Sequence, residues 1–181
     1  MGFELVGEWG KFKQFVAEMK EKIPEASKLA LHRVGLKAQR DLRTGVLSGA
    51  PGGKPYPPNH PFTVQRKGSS KPMVHHGDFV GAINYQMVAD NAVFVGIKRG
   101  ARKHGSLDTV NLAEIHERGC IIKVTPKMRA YLHSQGLHLK PSTQYIRIPP
   151  RPTFGPVWEA ENENYAKLLV ETVAKEVARL L

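Results

Sequence analysis

Cysteine is almost absent from this 181-residue sequence. Cys120 is the single thiol, which excludes an intrachain disulfide framework and fits synthesis in a reducing compartment. Long hydrophobic runs are also missing, since no stretch approaches the roughly 20 apolar residues of a membrane helix. The first residues alternate between polar and apolar types, unlike a signal peptide. The hydrophobic content of 41% is enough for the core of one domain, and no membrane partner is expected.

Acidic residues are missing from two long stretches in the middle of the chain. Between Asp41 and Asp78 there are five Lys or Arg and no Asp or Glu, and between Glu117 and Glu159 there are seven and none. The formal net charge is +11, from 27 Lys and Arg against 16 Asp and Glu. Such a charge bears on the choice of partner, and nucleic acid and acidic protein surfaces both fit it.

Two loops concentrate the positive charge. Their residues are Lys98, Arg99, Arg102, Lys103 and His104 in one, and Arg66, Lys67 and Lys71 in the other. A basic run is typical of a solvated surface, but two in one chain also indicate contact with a polyanion. Because no base-reading motif is present, that contact would be made to phosphates without sequence preference.

The signatures of nucleotide and metal sites are incomplete. Gly52-Gly53-Lys54 resembles the end of a phosphate loop, but Ser48 stands where the first glycine is needed, and Pro55 replaces the Ser or Thr that binds Mg²⁺. His116 and Cys120 are four residues apart with a glycine between them, and no paired-cysteine or HxxxH motif exists. We therefore expect no metal site and no cofactor.

Catalytic constellations are missing too. There is no strained nucleophile turn and no pair of carboxylates at a useful spacing. Asp108, Glu114 and Glu117 are interpreted as a solvated turn and helix face. The sequence therefore predicts that the protein is not an enzyme and has no catalytic residues.

Periodicity predicts helices at both ends of the chain. Apolar residues at helical spacing indicate a first helix at about Gly7–Lys22, which should end before Pro24, and a second that begins at Pro24 or Glu25. A closing helix is expected from Pro156, because a proline suits the first turn. Its predicted apolar face consists of Trp158, Tyr165, Leu168, Leu169, Val173, Val177 and Leu180.

The middle of the chain has the pattern of short strands and loops. Ser48–Ser70, rich in Gly, Pro and Ser, is expected to be an extended loop. A hairpin is predicted around the Asp90-Asn91 turn, with its second strand buried on both faces or nearly so. Further expectations are a helical turn ended by Gly119, a strand over Ile121–Val124 and a short helix that Thr125 caps. A strand from Tyr145 to Ile148 should stop at Pro149 and Pro150, which lack backbone donors.

The predicted organisation is a single α+β domain, with a small antiparallel β-sheet flanked by N-terminal and C-terminal helices and with long flexible loops. Residues 1–47 would form the N-terminal helices and 48–72 an extended arm. Residues 73–155 would form the sheet with its loops, and 156–181 the C-terminal helix.

The order of segments resembles a known family. The segments are Gly52–Pro58, Thr63 with Arg66-Lys67, His76–Ile83, Val93–Gly96, Leu112–Gly119 and Ile148–Phe154. Together they are similar to the virion morphogenesis or tail completion proteins of long-tailed bacteriophages, including the Mu-like G proteins. This chain departs from that pattern where His76–Phe79 replaces Thr-Gly-x-Leu and where Pro150 replaces Ala.

The resemblance implies a structural subunit of the phage tail or neck. It would act in tail completion and head–tail joining as part of a homo-oligomeric ring. Its partners would be other tail and neck proteins (tail terminator, tail tube, connector), with possible non-specific contact to genomic DNA. It would be made in the host cytoplasm and located in the virion. The alternative is a sequence-independent DNA-binding protein that uses its basic loops.

Candidate residues follow from both lines of reasoning. The assembly candidates are the aromatic anchors and neighbouring cations Tyr56, Phe62, Arg66, Lys67, Arg151, Phe154 and Trp158. The polyanion or channel candidates are Lys98, Arg99, Arg102, Lys103 and His104. Arg151 lies between two prolines that hold its backbone extended, so its side chain can be directed at carbonyl or carboxylate oxygens. We expect it to be structural.

Overall fold

The computed structural model describes residues 9–100, 103–104 and 107–179. The fold is α+β, about 60% helical, with helices at both ends. The helices are α1 Trp9–Ser48, α2 Pro61–Lys67, α3 Asp78–Ala82, α4 Thr109–Arg118, α5 Pro126–Ser134 and α6 Phe154–Ala178. The strands are β1 Ile83–Ala89, β2 Ala92–Ile97, β3 Lys103–His104, β4 Leu107–Asp108, β5 Cys120–Lys123 and β6 Tyr145–Ile148.

The described strands pair in three separate two-stranded ladders, β1 with β2, β3 with β4 and β5 with β6. The β3–β4 and β5–β6 pairs are antiparallel. A two-residue connection at Asp90-Asn91 permits only an antiparallel hairpin for β1 and β2. Phe94 in β2 is exposed, so the prediction that this strand is buried on both faces was wrong. A ladder of only two strands does not have enough packed elements around it to bury the side chains on both of its faces.

Helix α1 is continuous where two helices were predicted. It runs through Pro24, which is exposed, so the carbonyl left without its helical donor can bind water. The apolar stripe of the helix continues across this point from Ile23 to Ala26 and Ala30, and both alanines are buried. Ile23, before the proline, is 42% exposed, so packing supports the helix only after Pro24, and hydration of the freed carbonyl keeps the loss of one backbone hydrogen bond small.

The described chain divides into two compact units. Unit 1 is drawn from Met1–Ala38, Tyr85–Val95 and Asn162–Leu181, and unit 2 from Gln39–Asn84 and Gly96–Glu161.

In unit 1 the hairpin packs closely on α1. Gly35 is buried, and a Cβ built on it would lie 2.7 Å from Val93 Cγ2 and 2.9 Å from the ring of Tyr85. The Tyr85 hydroxyl lies 3.1 Å from His32 Nδ1. Only a residue without a side chain permits this approach, so Gly35 sets the position of the hairpin.

The part of α6 in unit 1 contributes Tyr165 and Thr172 to the interior. The ammonium group of Lys37 lies 5.0 Å from the centre of the Tyr165 ring. Arg33 and Glu176 form an ion pair at 4.0 Å. These contacts join the α1 and α6 segments within the unit.

Unit 2 contains the Pro-rich segments. The predicted loop after α1 holds a 3-10 turn, Pro51–Gly53, and helix α2, which His60 caps through its side chain. Prolines at the first positions of both turns start them, because a proline has the φ that a helix needs and no donor to lose there. Helix α5 is capped by the hydroxyl of Thr125, as predicted, and α4 ends at Gly119.

Helix α6 begins two residues before Pro156, which lies in its first turn. On the predicted apolar face, Tyr165 is buried and Leu168, Leu169, Val173 and Val177 are half-buried. Leu180 lies outside the described residues. Trp158 is 62% exposed, so its place on the buried face was predicted wrongly. Val157 is buried instead, since one residue rotates the side chain by about 100° around the helix.

Candidate functional site: an arginine-centred corner

Arg151 occupies the centre of the corner that follows β6. It is 7% exposed, and its backbone N–H donates to the carbonyl oxygen of His116 at 2.5 Å. Pro150 and Pro152 on either side fix the backbone direction. The corner is therefore anchored to the end of α4 by its main chain.

The guanidinium of Arg151 holds the segment that precedes α2. Its Nε donates to the carbonyl of Pro57 at 3.0 Å, and one terminal nitrogen donates to the carbonyl of Pro58 at 3.1 Å and to Asn59 Oδ1 at 3.3 Å. The planar fork of an arginine suits several fixed acceptors at once. The prediction that this side chain is directed at carbonyl oxygens is confirmed.

The buried cation influences its neighbours. Burial lowers the pKa of Arg151 itself, although an arginine stays protonated in proteins. Burial, and secondly the positive charge of Arg151, lower the pKa of His116 below its ordinary value. The same two causes lower the pKa of Lys67. His116 Nδ1 is buried and has no hydrogen-bond partner among the described residues.

Glu117 joins this corner to helix α6. Its carboxylate accepts from the backbone N–H groups of Thr153 at 2.8 Å, Phe154 at 3.3 Å and Gly155 at 3.5 Å. The first N–H groups of a helix have no partner within the helix, and a carboxylate there is also favoured by the helix dipole. Glu117 therefore caps α6 from another element.

The interpretation of three acidic residues as a solvated face was wrong for two of them. Asp108 accepts from Val110 N at 3.2 Å and caps α4, and Glu117 caps α6. Glu114 is exposed and pairs with Arg118 at 3.3 Å. A signal for the Asp108 cap lay in the local sequence, since Asp favours the N-cap position. No local signal could reveal a cap that acts across 36 residues.

Two further contacts tighten the corner. The hydroxyl groups of Tyr56 and Thr153 are 2.5 Å apart and buried, and burial raises the pKa of Tyr56. Gly52 has a positive φ of 56°, and a Cβ there would overlap the carbonyl of Pro156. The polar groups are thus satisfied mainly by one another, and their hydrogen bonds connect three chain segments.

The structure brings together only some of the predicted assembly residues. Tyr56 and Arg151 are buried in the corner, and Phe154 donates its backbone N–H to the cap. On α2, Arg66 lies over the Phe62 ring, 5.7 Å from its centre, and Lys67 donates to the Lys71 carbonyl. Trp158 is exposed on α6.

The predicted polyanion loop is only partly described. Lys98 and Arg99 are exposed after β2. Lys103 and His104 form β3, where their backbones pair with Asp108 and Leu107. Arg102 lies outside the described residues.

The sequence reasoning missed a basic face on the β5–β6 ladder. Ile121 is paired with Arg147, and Lys123 with Tyr145. Paired residues share a face of a ladder, as do residues two apart along a strand. All four side chains are exposed, so this face alternates two cations with an aromatic and an aliphatic side chain. Strand alternation could have revealed it once the pairing register was known.

Within residues 9–100, 103–104 and 107–179, no three His, Cys, Asp or Glu side chains come together as metal ligands. None of the helices in the described part of the chain is long and apolar enough to cross a membrane. An open depression of about 270 Å³ in unit 2 is lined in part by Asp41, Thr44, Gly52 and Glu161.

Neither the protein-family models, the curated proteins nor the solved structures compared with this chain give a significant match.

Proposed function

We propose that this protein is a structural subunit of a bacteriophage tail or neck, which acts in tail completion and head–tail joining as a member of a homo-oligomeric ring. The proposal takes its family assignment from the resemblance of the segment order to tail completion proteins. Its partners are further copies of itself and neighbouring tail and neck proteins.

One observation supports the proposal most. Three of the segments that carry the resemblance, Gly52–Pro58, Leu112–Gly119 and Ile148–Phe154, are bonded to one another in unit 2. Arg151 in the third segment holds carbonyls of the first through its side chain and a carbonyl of the second through its backbone. The segments that carry the resemblance thus serve one structural role, because their hydrogen bonds hold them together. A rigid centre of this kind suits a subunit that must keep its shape within a ring.

The test is electron microscopy of particles produced when the gene carries a nonsense mutation. We expect filled heads beside separate tails, or tails of aberrant length. Supply of the wild-type protein from a plasmid should restore whole virions. Normal, infectious virions without the protein would refute the proposal.

A second candidate function, sequence-independent binding of DNA, is favoured by the β5–β6 face. Lys123 and Arg147 lie diagonally on it, beside Tyr145 and Ile121. The surrounding chain from residue 118 to residue 158 contains seven Lys and Arg and no acidic residue. Cations beside an exposed aromatic ring suit a nucleic-acid backbone and its bases.

Fluorescence anisotropy with an unrelated DNA duplex tests this second candidate. Binding should weaken steeply with salt, and Lys123→Gln with Arg147→Gln should reduce the slope by about 0.9 for each phosphate that the variant no longer neutralises. Lys98→Gln with Arg99→Gln is the matched pair on the predicted loop and shows which surface binds. Affinity no better than that of a neutral control protein at low salt would end this candidate.

A further inference from the structure

The N-terminal part of α1 carries an apolar stripe with large exposed side chains. Phe12, Val16, Met19 and Ile23 follow a spacing of four, three and four residues, which is the a/d pattern of a helix–helix seam. Val16 is 48% exposed and Ile23 is 42% exposed. Further along the same stripe, Ala26 and Ala30 are buried in unit 1. The described chain therefore covers the second part of this packing face more completely than the first.

The charges beside this seam are positive. Lys13 and Lys20 occupy the e positions next to it, whereas Lys22, at a g position, is paired with Glu25 at 3.7 Å. Glu18 and Glu21 lie at c and f, further from the seam. Two such seams placed together would bring lysines close to each other, which is unfavourable. The seam therefore selects a partner helix with acidic residues.

Helix α6 offers such a surface on its outer side. Glu163, Ala166, Val170 and Ala174 recur at spacings of three and four residues, so they share one face, and all are exposed. Val170 is 64% exposed. In the part of α6 that belongs to unit 1, Glu176 is paired with Arg33 at 4.0 Å, so Glu163 is the acidic residue on this exposed face. Lys167 beside this face is paired with Glu171 at 3.9 Å.

The two surfaces are complementary in size as well as in charge. The seam presents large side chains, Val16 and Ile23 among them, whereas the α6 face presents alanines on both sides of Val170. Small residues on one helix let large side chains of another approach closely. We propose that the α1 seam of one copy packs on the outer face of α6 of a second copy. Such a contact uses two different patches and can therefore propagate into a ring.

This inference rests on the proposed ring assembly for its biological role, but its test needs only purified protein. Sedimentation equilibrium of the wild-type chain at about 100 μM should show self-association that weakens as salt rises. A strictly monomeric wild-type chain would overturn the contact. Normal virions without the gene would instead refute the proposed function and leave the contact intact.

Two variants block opposite sides of the contact. Val16→Asp should prevent binding through the α1 seam, and Val170→Asp should prevent binding through the α6 face. Each variant alone should therefore be monomeric. An equimolar mixture should form heterodimers, because one chain retains the seam and the other retains the face. Val88→Asp is the matched control, since Val88 is 60% exposed on β1, and it should associate like the wild type.

Other outcomes would overturn the inference. If Val170→Asp still associates while Val16→Asp does not, the seam binds something other than α6. If the mixture stays monomeric while each variant retains the wild-type circular dichroism spectrum, the two patches do not meet. As an independent check, Lys20→Glu should weaken association, and Glu163→Lys in the partner chain should restore part of it.

Discussion

Replacement of Arg151 by alanine should destabilise unit 2 strongly. The change removes the side-chain hydrogen bonds to the Pro57 and Pro58 carbonyls and to Asn59 Oδ1. It also leaves a void at a position that is 7% exposed. An alanine can still make the main-chain hydrogen bond to His116, so the expected effect comes from the loss of the side chain.

The size of the loss in the free energy of unfolding follows from the acceptors that the alanine variant leaves without a hydrogen bond. Hydrogen bonds from a charged donor contribute roughly 1.5–3 kcal/mol each. Two of the three here have good lengths of 3.0 and 3.1 Å, and the third is longer at 3.3 Å. The alanine variant no longer buries a cation, and the desolvation cost that it avoids offsets part of the stability lost with these hydrogen bonds. We expect a net loss of about 3 kcal/mol, or about 6–12 °C in Tm for a chain of this size.

Thermal and urea denaturation followed by circular dichroism measure this loss. Arg147→Ala is the matched control, because Arg147 is an exposed arginine in the adjacent strand and should change stability by less than about 0.5 kcal/mol. Arg151→Lys keeps the charge without the fork and should be intermediate. An unchanged Tm for Arg151→Ala, combined with failed assembly, would refute the structural role and make Arg151 an interface residue.

Three further outcomes are expected. Gly52→Ala should lower the free energy of unfolding by more than about 2 kcal/mol, because the new Cβ overlaps a carbonyl and φ is positive. Gly53→Ala, which has a positive φ but open space around it, should lower it by only about 1 kcal/mol. Equal losses for the two variants in urea denaturation would contradict this difference. Glu117→Gln should lower stability by about 1–2 kcal/mol through the weakened α6 cap, while Glu114→Gln should have little effect in the same assay. His116 has a folded-state pKa below its ordinary 6.5, so the unfolded chain binds the extra proton first, and stability should fall as pH drops from 6.5 towards the folded pKa. In the His116→Gln variant, stability should stay constant over this pH range. If stability falls with pH as it does in the wild type, the pH dependence belongs to other groups.

Local patterns in the sequence were sufficient for most elements. Thr125 before Pro126 predicted the start of α5, and Gly119 predicted the end of α4, because caps and helix breakers act within a few residues. Alternation predicted the hairpin and the strand before Pro149. Pro24 misled the same reasoning, since a proline on the solvent side of a helix lets the helix continue when the carbonyl that loses its donor can bind water.

The sequence by itself determined that both ends are helical, and it determined the β1–β2 hairpin, strands β5 and β6, the concentration of charge and the extended backbone at Arg151. Each of these depends on a residue and its near neighbours. Only the tertiary structure decided that Arg151 meets the 57–59 segment, that Glu117 caps α6 and that Trp158 faces outward. Those contacts join residues between 36 and 94 positions apart, or depend on helix rotation, and no local propensity specifies which distant partner a side chain will meet.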